Sequence, residues 1–211
     1  MNFFLPVFLF LSFSLFSSDF SFDSINWKYN KKSSDMDLYV YSEESCNAYK
    51  VEKMITNFNA EKIAQNILDF ENYQKIFPRQ KKFDIVKKLN DNFFLIYGII
   101  DFFPIKNRDY YMLFNYREIE DDEKKIYLIT WYPATNEYKE YYEAKTKENE
   151  RAYFINGRWK IVDYKNGEVY ISAEIHNDWR INVSKSVLEG FEKQNAFDML
   201  ANVLNYTKAT K

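Results

Sequence analysis

The stretch "PIKNRDYYMLF", Pro104–Phe114, decides how the rest of the chain is read. An Arg-Asp pair opens an otherwise apolar run. Side chains of an extended strand alternate between its two faces. Arg108, Tyr110, Met112, Phe114 and Tyr116 then share one face, and Asp109, Tyr111, Leu113 and Asn115 share the other. The first set is bulkier and more apolar, so it is expected to face inward, with Arg108 at its end. A guanidinium there has two uses. It binds a carboxylate or phosphate bidentately, or it locks the preceding loop by pairing with Asp109 or a backbone carbonyl. In a regular strand Asp109 faces away from it, and Asp109 is expected to be structural.

Neighbouring segments carry the same pattern. Asp37–Tyr41 and Tyr49–Thr56 read as strands, and so do Phe83–Leu89, Phe93–Asp101, Arg108–Ile119 and Ile126–Tyr132. "LNDN" (Leu89–Asn92) and "EDDEKK" (Glu120–Lys125) supply turns. Glu150–Asp163 and Glu168–Asn177 form a hairpin, with Asn166-Gly167 in the left-handed conformations of a tight turn. Asn59 caps a helix to about Tyr73, with Ile63, Ile67 and Phe70 on one stripe, and Pro78 closes that region. Ser184–Tyr206 is the longest helix. An antiparallel sheet must bury one face, and this helix is the element large enough to cover it. The predicted class is α+β.

Phe94, Ile96, Gly98 and Ile100 form one apolar register, and Val169, Ile171, Ala173 and Ile175 another. Gly98 and Ala173 either leave room for a cavity or pack closely against a helix. In the last helix Val187, Leu188, Phe191, Leu200, Val203 and Leu204 are apolar, while Gly190, Gln194 and Asn195 interrupt them. Those polar positions face either solvent or a cavity beneath the helix. The candidate ligand contacts are therefore Phe94, Ile96, Arg108, Tyr110, Met112, Phe114, Ile171, Ala173, Val187 and Phe191. Each, taken singly, also fits a filled core.

The 211 residues suit one domain with a substantial core. An aromatic share of 20% beside four glycines fits long strands or a roomy apolar interior. A net charge of −2 without a basic block argues against nucleic acid as a partner. Residues 1–18 carry no charged side chain, and the apolar run Phe3–Phe16 is shorter than the ~20 residues of a membrane span. It reads as a signal peptide without a basic leader, cleaved within Phe16–Phe20, for an exported protein, periplasmic or secreted. Cys46, the single cysteine, is read as a passive thiol.

Several pieces together resemble the START domain, the lipid-transfer module of the helix-grip superfamily that also holds polyketide cyclases. "LYVYSEE" (Leu38–Glu44) is similar to its opening strand. "NAEKIAQNILDFENYQKIFP" (Asn59–Pro78) resembles its first helix, with Asp69, Tyr73, Phe77 and Pro78 at the motif positions. "FPIKNRDYYML" (Phe103–Leu113) resembles the most specific motif, Pro-[Val/Ile]-x-x-Arg-Asp-aromatic. Arg151 and Gly157 resemble a later strand, and "EIHNDWRINVSKSVLEG" (Glu174–Gly190) the crossing into the final helix. The crossing departs from the family in lacking Gly-Gly-x-x-Pro, and no acidic mate for an inward arginine is evident. The likeness covers a single domain over residues 27–207. It implies a helix-grip fold, a curved antiparallel sheet wrapped around the C-terminal helix with an apolar cavity between them.

Chemistry is sparse. There is no P-loop, no G-x-G-x-x-G and no C-x-x-C. His176 is the one histidine, which leaves no His-cluster metal site. It shares a strand face with Ser172 and Glu174 that is expected to be the outer, solvated one. Glu148–Glu150 and Glu120–Glu123 read as exposed turns. Asn182-Val-Ser184 and Asn205-Tyr-Thr207 match glycosylation acceptors. The expected function is non-enzymatic binding or transport of a hydrophobic molecule, a lipid, by a monomer that touches membranes transiently and needs no cofactor. An enzyme of the polyketide-cyclase or hydrolase type, using His176 with Glu174 or tyrosines with Arg108, is the first alternative. An interaction protein without a cavity is the second.

Overall fold

A computed structural model describes residues 21–42, 47–134, 138–142 and 149–210. The signal-peptide and Cys46 expectations lie outside the described residues. The order is β1 (Lys28–Ser33), β2 (Met36–Ser42), β3 (Asn47–Thr56), α1 (Ala60–Ile67), α2 (Tyr73–Ile76), β4 (Gln80–Asn90), β5 (Phe93–Ile100), β6 (Arg108–Glu120), β7 (Lys125–Pro133), α3 (Lys139–Tyr142), β8 (Glu150–Arg151), β9 (Phe154–Asp163), β10 (Glu168–Asp178) and α4 (Lys185–Ala209). The sheet runs β1-β2-β3-β10-β9-β7-β6-β5-β4, and β8 lies parallel to the start of β6. Every other pair is antiparallel. This is the curved α+β helix-grip architecture expected above.

Alternation along the strands builds the core. Ile96, Tyr110, Met112, Phe114, Ile129, Trp159, Ile161, Ile171 and Ala173 join one buried cluster with Ala196, Phe197, Leu200, Val203 and Leu204 of α4. α1 packs on β7 and β9, and α4 on β2, β3 and β10. Two helices therefore share the cover that the sequence reading assigned to one. Asn66 Nδ2 donates to Thr207 Oγ1 at 2.9 Å and ties the two helices together. That buried hydroxyl belongs to one of the two glycosylation triplets.

Four local expectations change. α1 is capped by Asn59, whose Oδ1 accepts from Lys62 N at 2.9 Å, but it ends at Ile67. Asp69 then accepts from Asn72 N and starts a separate 3-10 turn, a local side-chain bond that competes with the helix. β1 escaped notice because its six residues are all exposed and carry no apolar alternation. Its lysines suit a sheet edge. In the β9–β10 turn, Lys165 and Gly167 have positive φ, not Asn166. Asn166 Oδ1 instead accepts from Glu168 N. Finally, the expected strand Glu150–Asp163 is split: Glu150, exposed as expected, opens β8, which pairs with β6, and β9 begins at Phe154.

Val187 is in the first turn of α4, where its N–H reaches back to Ser184 O and its side chain is exposed. Proline there removes no i→i−4 bond. Ala196, 1% exposed, sits mid-helix on the core. Ala196→Pro is expected to cost about 3 kcal/mol or more, and Val187→Pro little. Thermal melts of the two variants check this.

Candidate functional site

A cleft of about 390 Å3 opens between the sheet and α4, within the usual range for small-molecule sites of roughly 300–1,000 Å3. Its sheet wall is Tyr110 and Met112 of β6, Trp131 of β7, Ile155 of β9 and Ile175 of β10. Tyr73, Phe77 and Pro78 close one side, and Ile100 and Trp179 another. From α4 come Asn195, Asp198, Met199 and Asn202. Their spacing of three and four residues places them on one helical stripe. Arg79, Gln80 and Asn177 complete a mostly apolar wall with a polar fringe that carries one cation, Arg79, and one carboxylate, Asp198. Gln80 Nε2 donates to Lys82 O and Ile99 O, and Asn177 Oδ1 accepts from Asn156 N.

Two aromatic walls rest on glycines. Tyr110 is the cross-strand partner of Gly98, and Trp131 of Gly157. A Cβ on either glycine would overlap the facing ring. The small residue at Gly98 is thus a seat for Tyr110 rather than a gap, and Ala173 is core. Neither opens room in the cleft directly.

Of the sequence-derived candidates, Tyr110 and Met112 line the cleft. Phe94, Ile96, Phe114, Ile171 and Ala173 are on the inner side but pack in the cluster behind it. Phe191 faces Phe102, with ring centroids 4.8 Å apart. Val187 drops out, being 59% exposed.

Arg108 faces inward and is 3% exposed, yet its guanidinium is occupied by the fold. Nε donates to Trp179 O at 2.8 Å, Nη1 to Lys106 O at 2.6 Å and Nη2 to Arg180 O at 3.2 Å. Nη2 also meets Glu150 Oε2 at 2.8 Å, the acidic mate not evident in the sequence. Of its two uses, the structure assigns the loop lock. Asp109, on the opposite face, holds Arg151 through bonds of 2.7 and 2.9 Å.

His176 shares the outer face with Ser172 and Glu174 as expected, but that face is buried, not solvated. Residues 21–27 lie over it. Arg158 bridges Glu174 at 2.8 Å and Asp23 at 2.7 Å beneath the Phe22 ring. Burial pushes the imidazole down to about 4. His176 and Glu174 therefore stand on the far side of the sheet from the cleft, and Glu174 is committed to Arg158. The acid–base pair of the enzyme reading is not assembled at the cleft.

The reading missed Trp131, Ile155 and Trp179, which carry no signal beyond apolarity, and Arg79 and Gln80, which follow the motif residues Phe77 and Pro78. Asn195 was visible as a polar interruption of α4; Asp198 and Asn202 extend its stripe and were legible by the same rule. Beside the cleft, Glu192 is 4% exposed. Burial pushes its carboxyl up to about 8, the nearby carboxylates of Asp178 and Glu189 add to the rise, and Tyr49 opposes it.

Comparison of the sequence with family models and with curated proteins gives no match. The fold, however, is similar to solved lipid-transfer structures. A STAR-related lipid transfer protein from Xanthomonas axonopodis aligns with a TM-score of 0.71 at 15% identity, over 86% of this chain and 98% of that one. Human StAR-related lipid transfer protein 5 aligns with a TM-score of 0.74 at 13% identity, over 89% of each chain. Human STARD10 aligns with a TM-score of 0.65 at 15% identity, over 86% of this chain and 74% of that one. The chain has the START helix-grip fold.

Two outcomes test the electrostatics. Arg108→Met strands three carbonyls, so it is expected to lower stability by about 2–4 kcal/mol, read from denaturant melts. Glu192 in the unfolded chain loses its proton near 4.5 and in the folded chain near 8. The folded state then binds more protons through that window, and this group's contribution to stability falls as pH rises across it. Glu192→Gln should gain on the parent chain by up to about 1.4 kcal/mol per pH unit between those values. A pH-independent difference in melting would contradict the assignment.

Proposed function

We propose that this chain binds and carries a lipid in the cleft between the sheet and α4, in an exported compartment. The observation that carries the reading is the cleft itself, walled by Tyr110, Met112, Trp131, Ile155 and Ile175 and roofed by α4. Apolar walls with a few hydrogen-bonding side chains favour an amphiphile over a polar metabolite. Similar structures include proteins named for lipid transfer. Fold alone does not fix activity, so the reading rests on the site. The cleft also speaks against a scaffold with no room for a ligand.

The mouth suggests how a lipid enters. The loop between β5 and β6 projects Phe103, 88% exposed, and Ile105, 38% exposed. Val183 and Val187 are exposed at the start of α4. Phe102 anchors the loop on Trp179 and Phe191, and Arg108 ties it to the β10–α4 crossing. Apolar side chains in water at the rim of an apolar cleft fit transient contact with a bilayer surface. Export rests on the uncharged Phe3–Phe16 run.

Purified protein incubated with a lipid extract and repurified should carry lipid detectable by mass spectrometry. Protein that repeatedly comes away empty overturns the reading. Met112→Trp should cut occupancy with the fold retained, because it fills the cleft. Phe103→Asp should slow transfer between vesicles and leave equilibrium occupancy unchanged. N-terminal sequencing of protein from its native source tests export, and an intact Met1 in a soluble cytoplasmic fraction rules it out.

A further inference from the structure

Two polar side chains of the cleft wall, Arg79 and Asn177, stand at its mouth with donors to spare. The β5–β6 loop places both there. Asp101 N donates to Arg79 O at 2.8 Å. Phe102 packs on Trp179, two residues past Asn177, with ring centroids 5.0 Å apart. Phe191 of α4 joins the two sides, its ring 4.8 Å from Phe102 and 4.6 Å from the Arg79 guanidinium.

Asn177 is 6% exposed and pairs across the sheet with Ile155, another residue of the cleft wall. Its Oδ1 accepts from Asn156 N at 3.2 Å, and a backbone donor fixes which way the amide is turned. Nδ2 is then the free end, and it makes no hydrogen bond among the described residues. Buried amide donors without a partner are uncommon. The Arg79 guanidinium carries five N–H donors. Among the described residues it makes no hydrogen bond or ion pair, and its contact is the face of Phe191.

The carboxylates around the mouth leave this cation available. Asp101, on which Arg79 acts, is bound by Lys81 at 3.1 Å. Glu150 is bound by Arg108 at 2.8 Å, and Asp178 accepts from Arg180 N at 2.8 Å. Glu192 keeps its proton at pH 7. Asp198 is the carboxylate of the cleft wall itself. It lies seven residues past Phe191, about 10 Å along the helix, and accepts from Gln194 at 2.8 Å. At that distance its field on Arg79 is largely screened at a solvent-facing rim. An ammonium head group would meet a cation and an amide donor here. An oxyanion accepts from both.

We propose that Arg79 and Asn177 hold an oxyanion head group, a carboxylate or a phosphate monoester, at the mouth of the cleft, and that the cargo is an anionic amphiphile. Its tail lies against Met112, Trp131, Ile155 and Ile175. This deepens the carrier reading and rests on it.

The test uses Nile red bound by the full chain at pH 7, displaced by dodecanoate, dodecyl phosphate or dodecanol. These share one tail length and differ in the head. At least one of the two anions should displace the dye at concentrations about tenfold lower than dodecanol, the equivalent of one charge-assisted hydrogen bond. The tighter anion identifies the head group. Arg79→Met keeps a stem over Phe191 and removes the charge. Asn177→Asp keeps the acceptor for Asn156 N and puts a carboxyl oxygen where the donor was. Both variants should still bind Nile red while the anion preference shrinks toward unity. If Asn177→Asp fails to fold, Arg79→Met, at an exposed position, decides alone. Displacement by dodecanol at concentrations equal to or below those of both anions overturns the proposal and leaves the carrier reading standing. So does an anion preference that survives either substitution, which would place the head group elsewhere. A parent chain that binds neither dye nor lipid overturns the carrier reading and the proposal with it.

Discussion

The grip of the sheet on α4 depends on Arg108. One guanidinium reaches the loop before β6, the crossing after β10 and the short strand β8. Burying it unpaired would be prohibitive. Its donors are met by carbonyls that have no regular sheet partner, because they sit where the chain leaves the sheet. The next residue repeats the device on the other face. β8 lies parallel to β6 with Arg108 beside Glu150 and Asp109 beside Arg151. The pairs are crossed in sign, Arg-Asp against Glu-Arg, so a shift of one residue would bring like charges together. Glu150 is half exposed and contributes modestly. Asp109 and Arg151 are better shielded and bind through two parallel bonds.

That clamp fixes the mouth of the cleft, and aromatic rings on glycines fix its floor. Tyr110 and Trp131 lie across β5 and β9 only because Gly98 and Gly157 carry no side chain. Covering a glycine with a cross-strand ring restores packing to a position that would otherwise weaken the sheet. α4 meets this floor with two stripes. Ala196, Leu200 and Val203 go to the core. Asn195, Met199 and Asn202 go to the cleft. A helix with an apolar stripe and an adjoining polar one looks poorly amphipathic in sequence, yet each stripe suits what it faces.

The fold was legible because the strands of this sheet bury one face and alternate clearly. The order of Asp37–Tyr41 through Glu168–Asn177 and the long last helix both follow from that period. β1 was not legible, since an edge strand exposed on both faces has no period to detect. The site was legible only in part. Alternation put Tyr110 and Met112 on the inner face, but being on the inner face does not distinguish cleft from core, and Phe94, Ile96 and Phe114 share it. Arg108 was correctly placed at the inner end. Its partners are carbonyls of Trp179 and Arg180, more than seventy positions away, and no pattern of side chains announces a carbonyl. The burial of the outer face escaped for a similar reason: Phe22 and Asp23 cover it at Arg158, distant in sequence and too short to show periodicity, while His176 itself meets the Phe154 ring at 4.9 Å.

Two buried titratable groups, His176 of β10 and Glu192 of α4, pull in opposite directions with pH. His176 prefers to be neutral in the fold, near 4 against about 6.5 when unfolded. Between those values the unfolded chain binds the extra proton, so its contribution to stability rises with pH. Glu192 keeps its proton in the fold from 4.5 to about 8, and its contribution falls over that range. The windows overlap between about 4.5 and 6.5, where these two contributions oppose one another, and the carboxyl of Glu174, raised by burial, acts in the same direction as Glu192. Above 6.5 the His176 contribution is flat and the Glu192 contribution continues to fall. Ionisation there places a charge beside Tyr49 and among Asp178 and Glu189, so the stability lost at high pH is lost where α4 packs on β3 rather than on the outer face around His176.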